Sequence, residues 1–138
     1  MQLDKVQPKN KRQLKQLINY AFKHNIYDLN FIDTSEITDM SLLFSNCMHN
    51  FDVSSWDVSN VTNMGYMFYH CKNFNCDLSN WDVSKVKNMN YMFYNCKKFN
   101  CDLSYWDISS MTRWKNTSCG CDKMTIPNWY KLYHKNKI

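Results

Sequence analysis

The sequence is poor in the residues that usually shape loops, with 2 Gly and 2 Pro among 138 residues. This composition excludes a linker-rich or collagen-like chain. Tight turns must instead depend on Asn, Asp and Ser, which tolerate left-handed backbone or hydrogen-bond to it locally. The sequence also lacks any apolar run of the roughly 18 residues that a membrane-spanning helix needs. We therefore predict no membrane span.

A secretory signal is also missing from the N-terminal residues MQLDKVQPKNKRQ, which have no apolar central segment. The sequence therefore predicts no signal peptide. Two interpretations of the compartment stay open, a protein that remains inside the cell and an exported protein whose signal lies outside this sequence. The localisation is unknown at this point.

Charge is divided unevenly along the chain, whose net charge is +5. Residues 1–25 carry six basic and one acidic residue, residues 26–110 carry five basic and ten acidic, and residues 111–138 carry six basic and one acidic. A repeat protein that binds nucleic acid would be expected to carry Lys and Arg along its repeated surface, where each unit adds a phosphate contact. Because the repeated part is acidic, we predict no nucleic-acid partner, and binding of nucleic acid by the basic ends stays open as a third alternative.

One sequence of 25 residues occurs twice in succession. Residues 56–80 read WDVSNVTNMGYMFYHCKNFNCDLSN and residues 81–105 read WDVSKVKNMNYMFYNCKKFNCDLSY, identical at 19 of 25 positions. A weaker copy precedes them, with Ile32 at the Trp position, and a degraded copy begins at Trp106. Such a period is typical of stacked repeat proteins, whose end units are atypical because one face meets water.

Each unit shows two hydrophobic periods. From Val61 to Cys71 the apolar residues have helical spacing, and from Phe74 to Leu78 apolar and polar residues alternate as in a half-buried strand. A unit of this size cannot bury its apolar face alone, and stacking would give a shared core and a parallel strand ladder. The sequence therefore predicts a right-handed α/β repeat solenoid of about four coils, with one short parallel strand and one short helix per coil.

The predicted organisation has four parts. Residues 1–10 form an N-terminal tail, residues 11–25 an N-terminal capping helix, residues 26–121 the repeat solenoid, and residues 122–138 a C-terminal cap and tail. A weak fifth strand is predicted within the last part, where Pro127 would stop further pairing. The capping helix follows from five apolar residues on one helical face: Leu14, Leu17, Ile18, Ala21 and Phe22.

The repeated strings resemble a known family. WDVSNVTNMGYMFYHC followed by FNCDLSNWDVS is similar to the BspA-type surface-protein repeats of bacteria, a divergent branch of the leucine-rich-repeat class. IDTSEITDMSLLF resembles the usual first unit of that family and IPNWYK its usual closing segment. The resemblance implies a leucine-rich-repeat-like solenoid, a protein-binding role in adhesion or host-surface recognition, and a surface or secreted location.

Six of the seven cysteines recur at repeat spacing, and three interpretations stay open. Packing as small buried groups is favoured, because free cysteines are among the most buried residues. A disulfide ladder fits poorly, since parallel Cβ atoms about 4.8 Å apart exceed the usual disulfide separation. A four-thiolate metal site would use Cys71, Cys76, Cys96 and Cys101. The two columns are Cys47, Cys71, Cys96 and Cys121, and Cys76 and Cys101.

Acidic residues also recur in two columns. In the second column, Asp follows the Trp position and is expected to accept local hydrogen bonds in Asx turns. Calcium is the rival interpretation, although the glycine-rich turns of calcium-binding repeats are absent. The first column is expected on the sheet surface, where a partner-binding role is more credible. The first column is Asp28, Asp52, Asp77 and Asp102, and the second is Asp33, Asp57, Asp82 and Asp107.

Tyrosines recur at two positions of the predicted helix, away from its Met and Phe face. Stacked units would bring them into a two-by-two patch, and tyrosine is enriched at protein interfaces. Shielding of the neighbouring unit is an equally good explanation. The four residues are Tyr66, Tyr69, Tyr91 and Tyr94.

The functional prediction is a non-enzymatic protein-interaction module without a cofactor. The four histidines show no spacing typical of a catalytic triad. The candidate binding residues are the first Asp column and the four tyrosines, and the partner is a protein of unknown identity. The chain itself is expected to be a monomer or a weak end-to-end dimer. The alternative is a metal-binding or redox module built on the cysteine columns.

Overall fold

The computed structural model describes residues 5–124 and 127–129. Within these residues helix α1 spans Lys11–Lys23, residues 128 and 129 are also helical, and there is no strand. Parallel bridges of single residue pairs join successive parts of the chain. One line of bridges runs through the repeats and links Asp39, Asn63, Asn88 and Arg113 in turn.

The predicted α/β repeat solenoid of about four coils is wrong. Neither the predicted helix at residues 61–71 nor the predicted strand at residues 74–78 forms, and both segments consist of turns and irregular backbone. In the described part of the chain, α1 is followed by consecutive turns whose residues hydrogen-bond to residues about one repeat away. The predicted fifth strand lies partly outside the described residues, which do not include 125 and 126.

The segment 61–71 forms turns because it contains two residues with left-handed backbone. Tyr66 and His70 both have φ of 58°, far from the helical value. The Met67 N–H donates to the Met64 carbonyl at 3.2 Å and closes a four-residue turn, in which Tyr66 occupies the third position. A positive φ at the third position of a turn is characteristic of type II. Apolar residues three and four positions apart therefore do not distinguish a helix from two such turns.

Backbone hydrogen bonds join each turn segment to the next one along the chain. The N–H groups at alternate positions donate to the following unit, while the intervening N–H groups close turns within their own unit. Buried backbone polar groups are thereby satisfied without a strand. At one junction the donor and acceptor pairs are Met64 to Asn88, Tyr66 to Asn90, Phe68 to Met92 and His70 to Tyr94, at 2.8 to 2.9 Å.

A cysteine sulfur interrupts the predicted strand. The Leu78 N–H donates to Cys101 Sγ at 3.3 Å. At the equivalent position of the first unit, the Leu29 N–H donates to the Asp52 carbonyl at 2.9 Å, and Asp28 forms a parallel bridge with Asp52. Because the Cys101 thiol takes the place of a carbonyl acceptor, the parallel bridge of the first unit is not repeated between these later units of the described chain.

The core is a column of aromatic rings that runs through the units. Phe44, Phe68 and Phe93 lie nearly parallel, with centroids 5.7 and 5.5 Å apart. A second ring, Phe74, lies 4.3 Å from Phe68. All four side chains are buried. Methionine, leucine and valine side chains at repeat spacing surround this column.

Tryptophans tie each unit to the one before it. The Trp81 indole N–H donates to the Val53 carbonyl at 3.1 Å. Trp56 and Trp106 do the same to Leu29 and Leu78, and each of these rings is at least 95% buried. A large ring is therefore buried in each unit with its polar atom satisfied.

Helix α1 covers the first unit. Its N-cap is Asn10, whose side chain accepts the Gln13 N–H at 2.9 Å, and its apolar face is buried. The Lys15 ammonium donates to the Leu43 carbonyl at 2.6 Å. In the next unit the Met67 carbonyl, at the position of Leu43, accepts a backbone N–H from Phe44. Lys15 thus supplies the donor that a preceding unit would supply.

Candidate interaction surfaces

The four predicted tyrosines do come together. Tyr66 lies parallel to Tyr91 with a centroid separation of 4.9 Å, and Tyr69 lies parallel to Tyr94 at 5.4 Å. The two pairs are adjacent, since Tyr66 is 5.3 Å from Tyr69. Tyr66 is 37% exposed, and the other three are half-buried. We call this group the tyrosine patch.

The backbone under the tyrosine patch is left-handed at two positions. Tyr66 and Tyr91 have φ of 58° and 56°. The equivalent residues in the flanking units, Leu42 and Asn116, have φ of 62° and 52°. A non-glycine residue in this region costs about 1–2 kcal/mol, least for Asn. The fold accepts Asn at this position, so the tyrosines are not required by the backbone.

A second left-handed column shows what the backbone alone selects. It consists of Asn46, His70, Asn95 and Gly120, with φ between 58° and 79°. Gly, Asn and His are the residues that most readily adopt positive φ. The contrast with the bulky Leu42, Tyr66 and Tyr91 indicates that the residues of the tyrosine column are present because of their side chains and not because of their backbone preference. Sequence analysis missed the left-handed backbone of both columns, although the Asn, His, Asn and Gly series at repeat spacing was a usable signal.

The carboxylates of the first Asp column make local hydrogen bonds. Asp77 Oδ1 accepts the Ser79 N–H at 3.0 Å and the Ser79 hydroxyl at 2.6 Å. Asp52 does the same with Ser54, and Asp28 and Asp102 accept the amide two residues on. The second Asp column has the same Asx turns, for example Asp82 with Ser84. These Asx turns therefore do not distinguish the two columns.

The first Asp column differs from the second because it borders an open groove. One part of this groove, of about 420 Å³, is lined by Asp28, Asp52 and Asp77, and a second part of the same volume by Asp77 and Asp102. Cys76 and Cys101 lie among the lining residues, and an asparagine row forms another part of the lining: Asn50, Asn75 and Asn100. None of the four tyrosines is among the lining residues. The chain therefore has two separate candidate surfaces.

The local hydrogen bonds keep three of the groove carboxyl groups ionised, those of Asp52, Asp77 and Asp102. The Ser79 hydroxyl, followed by the Ser79 amide, lowers the pKa of Asp77 below its ordinary value. The pKa values of Asp52 and Asp102 are lowered in the same way by Ser54 and Ser104. A general acid or base acts best with a pKa near the working pH. These carboxyl groups are therefore suited to charge recognition rather than to proton transfer at neutral pH.

We expect stability to fall in acid because of these turns. Each lowered pKa stabilises the folded chain above the unfolded-state carboxyl pKa, near ~4, and that stabilisation is lost as pH falls through the lower folded value. The midpoint of urea unfolding should stay constant down to this range and then decrease. Ser79→Ala removes the hydroxyl that is the main cause of the lowered pKa of Asp77. In this variant the urea midpoint should decrease less in acid. A midpoint that is unchanged or higher in acid would contradict the argument.

The cysteines are all free thiols, and most of those at repeat spacing are buried. Cys71 and Cys96 donate to the Phe44 and Phe68 carbonyls of the preceding unit, each at 2.9 Å. Burial raises the pKa of Cys71 to about 12. Interaction between the two neighbouring thiols raises the pKa of Cys96 and lowers the pKa of Cys121. Within residues 5–124 and 127–129, no three His, Cys, Asp or Glu residues are arranged to hold a metal ion.

We expect thiol reactivity to follow this burial. Cys119 is exposed, Cys47 and Cys121 are half-buried, and the other four cysteines are buried. Because the thiolate is the reactive form, an aromatic disulfide reagent should modify Cys119 rapidly, Cys47 and Cys121 more slowly, and the rest after unfolding. The time course of absorbance measures this, and Cys119→Ser should remove the fast phase. Fast modification of Cys71 in the native protein would contradict the packing role.

Comparison with known proteins gives one family. The family described as Mycoplasma protein of unknown function, DUF285, matches residues 12–129. The chain belongs to this family. No curated protein and no solved structure matches the sequence of this DUF285 protein significantly. In the part that the structure describes, no helix of the DUF285 chain is long and apolar enough to cross a membrane.

Proposed function

We propose that this DUF285 protein is a non-enzymatic module that binds a protein partner, with the tyrosine patch at the centre of the contact surface. The observation that carries the proposal is the presence of Tyr66 and Tyr91 on left-handed backbone. The fold places Asn116 in the same conformation one unit later. A residue with a lower backbone strain energy is therefore compatible with this position. A side chain that costs backbone energy and remains accessible has a purpose outside the fold.

The chemistry of the patch supports protein binding. Tyrosine presents a large amphipathic contact area with few rotatable bonds, which is why it is enriched at interfaces. The rings of the patch hold each other in place through stacking, so little side-chain entropy remains to be lost on binding. The Asp groove is a second candidate contact. The resemblance of the repeats to BspA-type surface proteins agrees with a recognition role such as adhesion.

The test compares peptide binding by the wild-type chain with binding by a variant in which Tyr66 and Tyr91 are both replaced by asparagine, the residue at the equivalent position Asn116. Peptides are selected on the wild-type chain from a random display library and are then assayed on Tyr66→Asn/Tyr91→Asn. We expect binding to be lost while the melting temperature changes little, because relief of backbone strain offsets the loss of ring stacking, about 1 kcal/mol for each.

A matched control uses the other left-handed column. His70→Asn makes the residue identical to Asn95 of the next unit and leaves all four tyrosines in place. This variant should bind the selected peptides as the wild type does. Equal binding of those peptides to the tyrosine double variant would refute the proposed function.

A further inference from the structure

Charge is segregated across the repeats in a way that the net charge hides. The turn segments that carry the tyrosine patch and its equivalents are residues 38–49, 62–73, 87–98 and 112–123, and they hold seven Lys or Arg and two Asp. The connecting segments between residues 26 and 111 hold nine Asp or Glu and a single base, Lys85. Because corresponding residues are aligned by the bridges and hydrogen bonds between units, each composition forms its own set of rows.

Basic residues border the tyrosine patch on one side. The Tyr91 N–H donates to the Lys115 carbonyl at 2.9 Å, and the Lys115 N–H donates to Asn90 Oδ1 at 2.7 Å. The Arg113 carbonyl accepts the Met89 N–H at 2.7 Å. The side chains of Lys115 and Arg113 are exposed. This border of the patch therefore presents two cations to solvent.

Basic residues border the other side as well. The Lys72 N–H donates to the His70 carbonyl at 3.0 Å. The His70 ring lies 4.2 Å from Tyr69 and 5.5 Å from Tyr94, so Lys72 follows directly on the patch. Lys97 occupies the equivalent position one unit later. Among the described residues, the one ion pair formed by the seven bases of the turn segments joins Lys97 to Asp122 at 3.5 Å.

We infer that the tyrosine patch and its two basic borders bind an acidic polypeptide segment, rich in Asp and Glu. This inference rests on the proposed protein-binding function and names the chemistry of the partner. Ammonium and guanidinium groups pair with carboxylates, and the edge of an aromatic ring carries the positive part of its quadrupole. Cations without an ion-pair partner in the described part of the chain leave this charge available to a ligand.

The ring geometry favours a polypeptide over nucleic acid. Single-stranded nucleic acid binds tyrosine by stacking bases on ring faces. In this patch Tyr66 and Tyr91 cover one face of each other, as do Tyr69 and Tyr94, at interplanar angles of 12° and 14°. Stacking therefore leaves fewer ring faces for bases, whereas ring edges and the neighbouring cations suit carboxylates. The net negative charge of the repeats led to the sequence-based prediction of no nucleic-acid partner. That net charge did not reveal this basic surface.

The experiment measures fluorescence anisotropy of a labelled 12-residue peptide rich in Glu and Asp on the full chain. Matched neutral and Lys-rich peptides and a single-stranded oligonucleotide of deoxythymidine serve as the other probes. We expect the acidic peptide to bind, with an affinity that decreases as salt increases. Lys72→Gln/Lys115→Gln should weaken binding roughly tenfold, since each substitution removes one exposed charge pair with the peptide.

Lys85→Gln is the matched control, because it removes one positive charge from the acidic rows and should leave binding unchanged. Circular dichroism establishes that all variants are folded. Binding of the oligonucleotide in preference to the acidic peptide would overturn the inference. So would self-association that depends on Lys72 and Lys115, which would make the partner a second copy. If library-selected peptides bind through the tyrosines but are not acidic, the inference fails and the proposed function stands; if no peptide binds through the tyrosines, both fail.

Discussion

Phe68→Ala should lower the free energy of unfolding by about 3–5 kcal/mol, the usual range for removal of a fully buried phenylalanine. The Phe68 ring is inaccessible to solvent and is stacked between Phe44 and Phe93. It also contacts Phe74 with a centroid separation of 4.3 Å. The turns around it are held by bonds between units, so the site has little freedom to collapse into the space. Urea denaturation followed by circular dichroism measures the change.

Tyr105→Ala provides the comparison for the same measurement. This aromatic side chain is 90% exposed and lies outside the tyrosine patch. Surface substitutions of this kind usually change stability by less than about 0.5 kcal/mol. A loss for Phe68→Ala no larger than the loss for Tyr105→Ala would mean that the phenylalanine column is not the main source of stability.

Lys15→Met should cost about 1–3 kcal/mol, because it removes the ammonium and keeps much of the side-chain volume. The Leu43 carbonyl accepts from Lys15 at 2.6 Å and has no other hydrogen-bond partner among the described residues. An acceptor left without a partner costs more than an average hydrogen bond contributes. Lys15 is exposed as a residue, yet burial of its ammonium lowers its pKa, so the bond is partly shielded from water.

Arg12→Met removes a positive charge from the same helix and should have a much smaller effect. Arg12 is exposed, and no bond from its side chain to the repeats occurs in the described structure. The two variants are compared by thermal unfolding under the same conditions. Equal destabilisation would show that the helix tolerates loss of either charge similarly and that Lys15 does not complete the first unit.

The repeat length, the alignment of the units and much of the buried set could be predicted from sequence. Met64, Phe68, Leu78 and Trp81 are all at least 96% buried, as their spacing indicates. Secondary structure could not be predicted from that spacing, because consecutive turns and a helix place apolar residues at the same intervals. The decisive signal was the recurrence of Asn, His and Gly at one position of the repeat. These residue types together indicate a left-handed backbone conformation.

The candidate surfaces were only partly accessible from sequence. Recurrence places Tyr66 beside Tyr91 in any stacked arrangement, so the existence of a tyrosine cluster could be predicted. The groove beside Asp77 could not be predicted, because it depends on how the backbone at residues 74–78 departs from a strand. The basic borders of the patch were hidden because summing charge along the chain combines rows that the fold separates.

The direction of the hydrogen bonds in the turn segments limits the symmetry of any assembly. At each junction most of the N–H groups that cross it, such as those of Met64 and Phe68, point to carbonyls of the following segment, while the first residue of each segment, such as Thr62, donates back to the preceding one. The two ends of such an array are chemically unlike, one presenting mainly donors and the other mainly acceptors. A twofold axis would bring identical ends together and oppose donors to donors. An end-to-end dimer through these groups could therefore form head to tail, at the end where Lys15 already occupies the Leu43 carbonyl.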